Sequence, residues 1–288
     1  METSIPNEQF LASPATFDLW IEAGRTEKNY WLDLWRYREL FYFLAWRDIL
    51  VRYKQTVIGV AWAVIRPFLT MLVFTVVFNK VARLPAPGAA PYALMVFAGM
   101  LAWQFFSTAL SESSNSLIGN ANLISKVYFP RLIVPAASVI TSFADFLITV
   151  GLMAVMMLWY GFVPDWRLVT LPLFVALALA ASLGAGLWLC ALNVEYRDFR
   201  YIVPFIVQFG LYVSPVGFSS SIVPHRWRLL YSCNPIVGVI DGFRWALLRA
   251  DTQLDWTTLA MSIVVTFALC VSGIWYFRRM ERTFADVI

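Results

Sequence analysis

Six stretches of this 288-residue chain are each long and apolar enough to cross a bilayer. They are residues 57–78, 92–113, 132–160, 168–193, 201–219 and 254–277. At a rise of about 1.5 Å per residue, roughly 20 apolar residues span a hydrocarbon core about 30 Å thick. In lipid the backbone polar groups must be satisfied within the segment, so each stretch is expected to be helical. Composition points the same way: 60% of residues are hydrophobic, 17% aromatic and 14% charged. Soluble domains run near a quarter charged, and a chain this apolar has too little polar surface to cover itself in water. The expected fold class is an all-α integral membrane protein with six transmembrane helices. A disulfide scaffold, a disordered tail and an ordinary cytosolic enzyme are excluded. Residues 1–10 are polar and acidic, without the charged and apolar regions of a cleavable signal peptide, so insertion is expected to use internal spans.

Lys and Arg are biased about two to one toward the side holding both termini, which the positive-inside rule makes cytoplasmic. Two apolar regions do not span. Residues 30–54 are dense in Trp, Tyr and Arg, groups that favour the headgroup level, and read as a helix on the inner leaflet. Residues 222–249 break at Cys233, Asn234 and Pro235. Asn234 can cap a helix and Pro235 suits its first turn. From 235 to 248 that helix would be about 21 Å long, too short to cross, so a pair of half-helices dipping into the outer leaflet is expected. The chain divides into an N-terminal segment (1–30), an interface helix (31–55), a six-span domain (56–277) and a tail (278–288).

The motifs of a nucleotide or catalytic site are missing. There is no GxxxxGK[ST] phosphate loop, HExxH, GxSxG or GxGxxG after a strand. Cys190, Cys233 and Cys270 have no metal-ligand spacing and His225 has no Cys or His near it in sequence, so no metal site is expected. A membrane glycosyltransferase or polymerase would need a carboxylate or base in a wet loop. Asp241, Asp251 and Asp255 are too few and too dispersed for that.

What remains are features of transport. The fifth span carries Pro204, Gly210, Pro215 and Gly217, with polar Gln208 and Ser214; broken helix at membrane depth suits a wet cavity. Phe205, Phe209 and Tyr212 share one face, either as plain packing or as a slide for pyranose rings, where many weak sites let a polymer pass. Arg66, one turn after Trp62, lies about 13 Å into the first span. It either meets phosphate in a hydrated entrance or snorkels to the interface. Asp145 in the third span is a second intramembrane charge, its partner Arg66 or a polar group of a neighbouring helix. Residues 122–129 read as a short helix ended by Pro130, exposing Leu123, Val127, Tyr128 and Phe129 as a docking knob or forming an interfacial turn. Ala180 with Gly184, and Ala181 with Ala185, allow close helix contact within or between chains.

Four segments, RYKQTVIGVAWAVIRP (52–67), LISKVYFPRLIVP (123–135), NVEYRDFRY (193–201) and NPIVGVIDGFRWALL (234–248), occur in an order that resembles one family. It is the permease of the polysaccharide-exporting ABC-2 transporters, which move O-antigen, capsule or teichoic-acid polymers. The similarity runs from about residue 31 onward. The resemblance implies an inner-membrane homodimer with both termini cytoplasmic. It also implies two copies of a separate nucleotide-binding subunit that hold the ATP and Mg, with no cofactor on this chain and no nucleic-acid partner. The substrate it implies is a polysaccharide on undecaprenyl pyrophosphate; an ABC-2 permease for lipids or drugs is the alternative. By the same likeness, Leu123, Ser125, Lys126, Val127, Tyr128, Phe129 and Arg131 couple to the ATPase. Trp227, Tyr231, Asn234, Pro235 and Arg244 belong to the periplasmic gate half-helices. The first and fifth spans line the channel at the dimer interface, with Trp62, Arg66, Phe205, Gln208, Phe209 and Tyr212 facing it. Lys126, Arg131 and Arg66 would attract the pyrophosphate.

Overall fold

The computed structural model describes residues 30–54, 57–83, 90–248 and 254–284. Among them every regular element is helical. In chain order they are α1 (Tyr30–Arg36), α2 (Arg38–Tyr53), α3 (Val57–Phe74, prolonged by a π turn over Thr75–Val81), α4 (Tyr92–Gly119) and α5 (Ala121–Ile124). Next come α6 (Ile133–Trp159), a 3₁₀ turn (Trp166–Thr170) leading into α7 (Leu171–Glu195), and α8 (Phe199–Val213). The chain closes with α9 (His225–Ser232), α10 (Pro235–Leu247) and α11 (Trp256–Met280). Five apolar helical runs are long enough to span: Val64–Val81, Tyr92–Gly119, Ile133–Trp159, Trp166–Glu195 and Trp256–Met280.

The fifth expected span, 201–219, is shorter than its apolar length. Its helix, α8, has 15 residues, about 22 Å. Pro215 explains the stop: a residue before proline is pushed out of the helical region, and Ser214 is extended at φ −81 and ψ 151. The second span errs the other way. It continues past Ser113 to Gly119 because the polar residues bond back to their own helix. Ser114 Oγ and Asn115 Nδ2 donate to Ser111 O at 2.8 Å each, and Ser116 Oγ donates to Ser113 O at 2.8 Å. Such local bonds hide hydroxyl polarity and let the helix run on in an apolar setting.

α4 is the hub. Of its apolar run 83% is buried inside the chain, against 17% for that of α3. α4 packs on α6, α7 and α10, while α7 packs on α11. The small-residue pattern of α7 is used within the chain: a Cβ on Gly184 would come 2.7 Å from Cys270 N, so only glycine admits this backbone approach. α3 and α8 each lean on α4 and leave one face open.

The interface helix joins the bundle obliquely. Its start, Tyr30, meets the end of α11, while its last turn reaches Asp145, halfway along α6. From Leu132 to Asp145 is about 20 Å along the α6 axis. The segment therefore climbs along α6, with Leu44 and Ala45 buried, instead of lying flat across the bundle. The end where Tyr30, α5 and the close of α11 gather is the near end below; α9 and α10 lie at the far end.

Candidate functional site

The climb of α2 creates a cleft of about 290 Å³ between α2, α3, α4 and α6. Arg52 closes it on one side. Its Nη2 donates to Glu112 Oε1 at 2.9 Å and its Nη1 stands 3.2 Å from Asp145 Oδ2. Tyr53 donates its hydroxyl to Asp145 Oδ1. Burial, and then that bond, push the Tyr53 phenol above its usual range, so it stays a proton donor. Asp145 is thus answered from the interface helix and not by Arg66, the first of the partners considered from sequence. Arg66, Trp62, Gln104 and Ser142 also line the cleft. Arg66 is exposed, and its guanidinium has no ion-pair partner among the described residues. Apolar residues precede Arg66 in α3 from Val57 onward, so it stands about 13 Å along that helix. Arg52, Tyr53, Glu112 and Gln104 escaped sequence reasoning; the aromatic, basic close of α2 was the one local signal for the first two.

The exposed face of α8 carries Tyr201, Phe205, Gln208, Phe209 and Tyr212 as one stripe. Phe205 and Phe209 stack at 5.9 Å between centroids and 11° between planes, and Phe205 remains 66% exposed. The opposite face is seated by Val203 and by Gly210, where a Cβ would meet the Trp103 ring at 2.5 Å. The six sequence-expected channel residues are therefore divided between two surfaces. Trp62 and Arg66 are in the cleft, and Phe205, Gln208, Phe209 and Tyr212 are on the stripe.

At the near end the expected helix over 122–129 shrinks to Ala121–Ile124. Ser125, Lys126, Val127 and Tyr128 are exposed and Leu123 is half-buried. Phe129, expected on the surface, is 3% exposed. It packs with Ile124, Leu132 and Phe277 in the near-end core, because Pro130 turns the chain inward toward α6. Arg131 is not available to a phosphate either. Its backbone N donates to Glu281 Oε1 at 2.8 Å, its guanidinium donates to Glu281 O, and it lies over the Phe284 ring at 5.9 Å. Tyr30 donates to the same Glu281 carboxylate at 3.4 Å, and Arg278 covers the Tyr30 ring at 4.4 Å. Burial holds the Glu281 carboxyl above its usual range, although the Arg131 and Tyr30 bonds and the Arg131 and Arg278 charges oppose this.

At the far end the half-helices form as α9 and α10. Asn234 caps α10 by accepting from Ile236 N at 3.3 Å and donates to Ser214 Oγ at 3.0 Å, with Pro235 as the first helical residue. Arg244 is 3% exposed and grips the turn after α8. Its nitrogens donate to Val216 O and Phe218 O at 2.8 Å each and to Met95 O at 3.3 Å. Tyr92 adds a bond to Gly217 O at 2.6 Å. Trp227 is exposed, with Arg226 over its ring at 5.8 Å. Tyr231 lines a polar cavity of about 440 Å³ with Arg228 and Asp255. Those two stand 3.6 Å apart.

Membrane-spanning helices, short half-helices at one end and an oblique interface helix define a polytopic membrane transport subunit. The chain belongs to the ABC-2 type transporter family, which it matches over residues 39–248. It is 29% identical over 261 residues to the O-antigen export system permease protein RfbA of Myxococcus xanthus, covering 89% of this chain and 98% of that one. It is 26% identical over 243 residues to the protein of the same name from Klebsiella pneumoniae, covering 84% of this chain and 92% of the relative.

Proposed function

We propose that this chain is the permease of an exporter that carries lipid-linked polysaccharide, O-antigen or a polymer like it, across the inner membrane. Two copies join along the open faces of α3 and α8 and enclose the conduit. Two copies of a separate ATPase, which hold the nucleotide and magnesium, dock at the near end, the cytoplasmic side. The observation that carries this reading is the exposed stripe of Tyr201, Phe205, Gln208, Phe209 and Tyr212 on α8. In a lone protein so much aromatic surface would face lipid; beside a second copy it faces a shared interior. Flat rings stack on the apolar faces of sugars without fixing register, and Gln208 supplies a hydrogen-bonding group to their hydroxyls, so successive residues can slide. The names of two relatives, both O-antigen export system permeases, support the same substrate class. On this reading Ser125 to Tyr128 is the surface the ATPase pushes, and the Arg131–Glu281–Tyr30 contacts pass that push to α6, α11 and the interface helix together. α9 and α10 form the gate on the periplasmic side.

The test is export. With Phe205 and Phe209 both changed to Ala, in cells lacking the native copy, surface polymer should fall sharply at equal protein level. Normal polymer would refute the slide. The purified chain alone should not hydrolyse ATP and should do so only in complex; turnover by the chain alone would refute the division of labour.

A further inference from the structure

We infer that the groove at the close of α11 binds an anionic phospholipid of the leaflet at the near end, its phosphate held by Arg278, Arg279 and Arg282 and its chain laid along the apolar face of α11. This goes beyond the export reading, since the lipid is a resident of the membrane and not cargo, and the site lies on neither α3 nor α8. Three observations converge. First, the groove has a cationic head. It measures about 690 Å³ and is lined by the three arginines with Val271, Ile274 and Trp275. Arg279 lies over the Trp275 ring at 5.5 Å and Arg278 over the Tyr30 ring at 4.4 Å. Ring faces attract a guanidinium but leave its N–H groups to other acceptors. The Nε of Arg278 is buried with no hydrogen-bond partner among the described residues. The neighbouring carboxylate, Glu281, accepts instead from Arg131 N and Tyr30. Phosphate oxygens match the fixed fork of donors that a guanidinium presents. Second, the arginines continue an apolar stripe. Val264, Phe267, Val271 and Trp275 are exposed and recur at the spacing of one helix face, on which Arg278 follows. The other sides of α11 pack on α7, α9 and α10. From Phe267 to Arg278 is about 16 Å along the axis, close to half of a hydrocarbon core about 30 Å thick, the depth of one leaflet. Third, Trp275 stands between stripe and arginines, and indole rings favour the headgroup level. A soluble protein docked on the arginines would leave the stripe uncovered, and a free anion would leave it unused. A phospholipid covers both.

The experiment places the full permease–ATPase complex in nanodiscs of phosphatidylethanolamine with a minor fraction of phosphatidylglycerol, and counts retained lipid by native mass spectrometry. Phosphatidylglycerol should be retained well above its share of the bilayer. A basic residue beside an anionic lipid is worth about fivefold in binding, so Arg279→Gln with Arg282→Gln should weaken retention about 30-fold, while Lys at both positions should keep most of it. Glycerol phosphate, run as a separate arm, should not displace the lipid. Retention of the two lipids in their bulk ratio would overturn the assignment, as would displacement by glycerol phosphate, which marks a pocket for free anions. Loss of the ATPase from the double Gln variant would overturn it too, by making the arginines a protein contact. Both positions are exposed, so the variant should keep the parent's Tm in pure phosphatidylethanolamine. Added phosphatidylglycerol should raise Tm in the parent and not in the variant; an equal rise in both would contradict the site. Lipid retention is scored without polymer, so the site and the export reading stand or fall separately.

Discussion

Replacing Arg244 by Met asks whether this buried cation shapes the far end of the protein or only decorates it. Its side chain is 3% exposed and serves the carbonyls of Val216 and Phe218, each at 2.8 Å, in a turn outside any helix. Met fills similar volume and donates nothing. A buried carbonyl left without a donor costs about 1–3 kcal/mol, so the two together cost roughly 2–6 kcal/mol. At about 2–4 °C per kcal/mol, Tm should drop by roughly 4–24 °C. Scanning fluorimetry in detergent measures it. Arg244→Lys should fare nearly as badly, because an ammonium is a point charge and cannot reach three carbonyls at once. A Tm within about 2 °C of the parent for Arg244→Met, or full rescue by Lys, would refute the reasoning.

Other outcomes follow from single contacts. Gly210→Val should displace Trp103, whose ring a Cβ would meet at 2.5 Å, and lower Tm by the cost of overpacking, about 1–3 kcal/mol; unchanged Tm would show that α8 is not seated there. Tyr128→Asp should leave Tm intact yet release the ATPase in co-purification, since Tyr128 is exposed. Phe129→Ala should instead destabilise by about 3–5 kcal/mol, as expected of a buried ring; equal effects at the two positions would erase the distinction. Glu281 gives a pH test. Its folded carboxyl is held above 4.5 by burial, so the native state binds a proton more tightly than the unfolded chain. Its contribution is fully present below about pH 4.5 and declines as pH rises through the folded pKa. Glu281→Gln should flatten the fall in Tm as pH rises above about 4.5; a variant with the parent's slope would exclude Glu281 as its source.

The spans were legible because lipid imposes a length and a polarity that any 20-residue window reveals. Their ends were not, because each is decided by chemistry beyond apolarity. α4 outlasts its apolar residues through serine bonds to its own carbonyls, and α8 stops where Pro215 forces Ser214 out of the helix. The break at Asn234 and Pro235 was readable since a cap and a first-turn proline act locally. The cleft was only half readable. Trp62 and Arg66 stand on one helix face, but Asp145 is 92 residues from Tyr53, and no local pattern joins them. Phe129 looked like a docking group because a short helix over 122–129, ended by Pro130, would present it with Val127 and Tyr128; only the direction of the chain after Pro130 shows that it points inward.

The central claim is that the α8 stripe borders water shared by two copies. A single cysteine at Tyr212, a side chain 62% exposed in one chain, measures this directly once the three native cysteines are replaced. In membranes holding the assembled transporter, Tyr212→Cys should react with a water-soluble, membrane-impermeant maleimide, and polymer in transit should slow the reaction. Reaction only with a reagent that partitions into lipid would mean that the stripe faces hydrocarbon and that the conduit lies elsewhere.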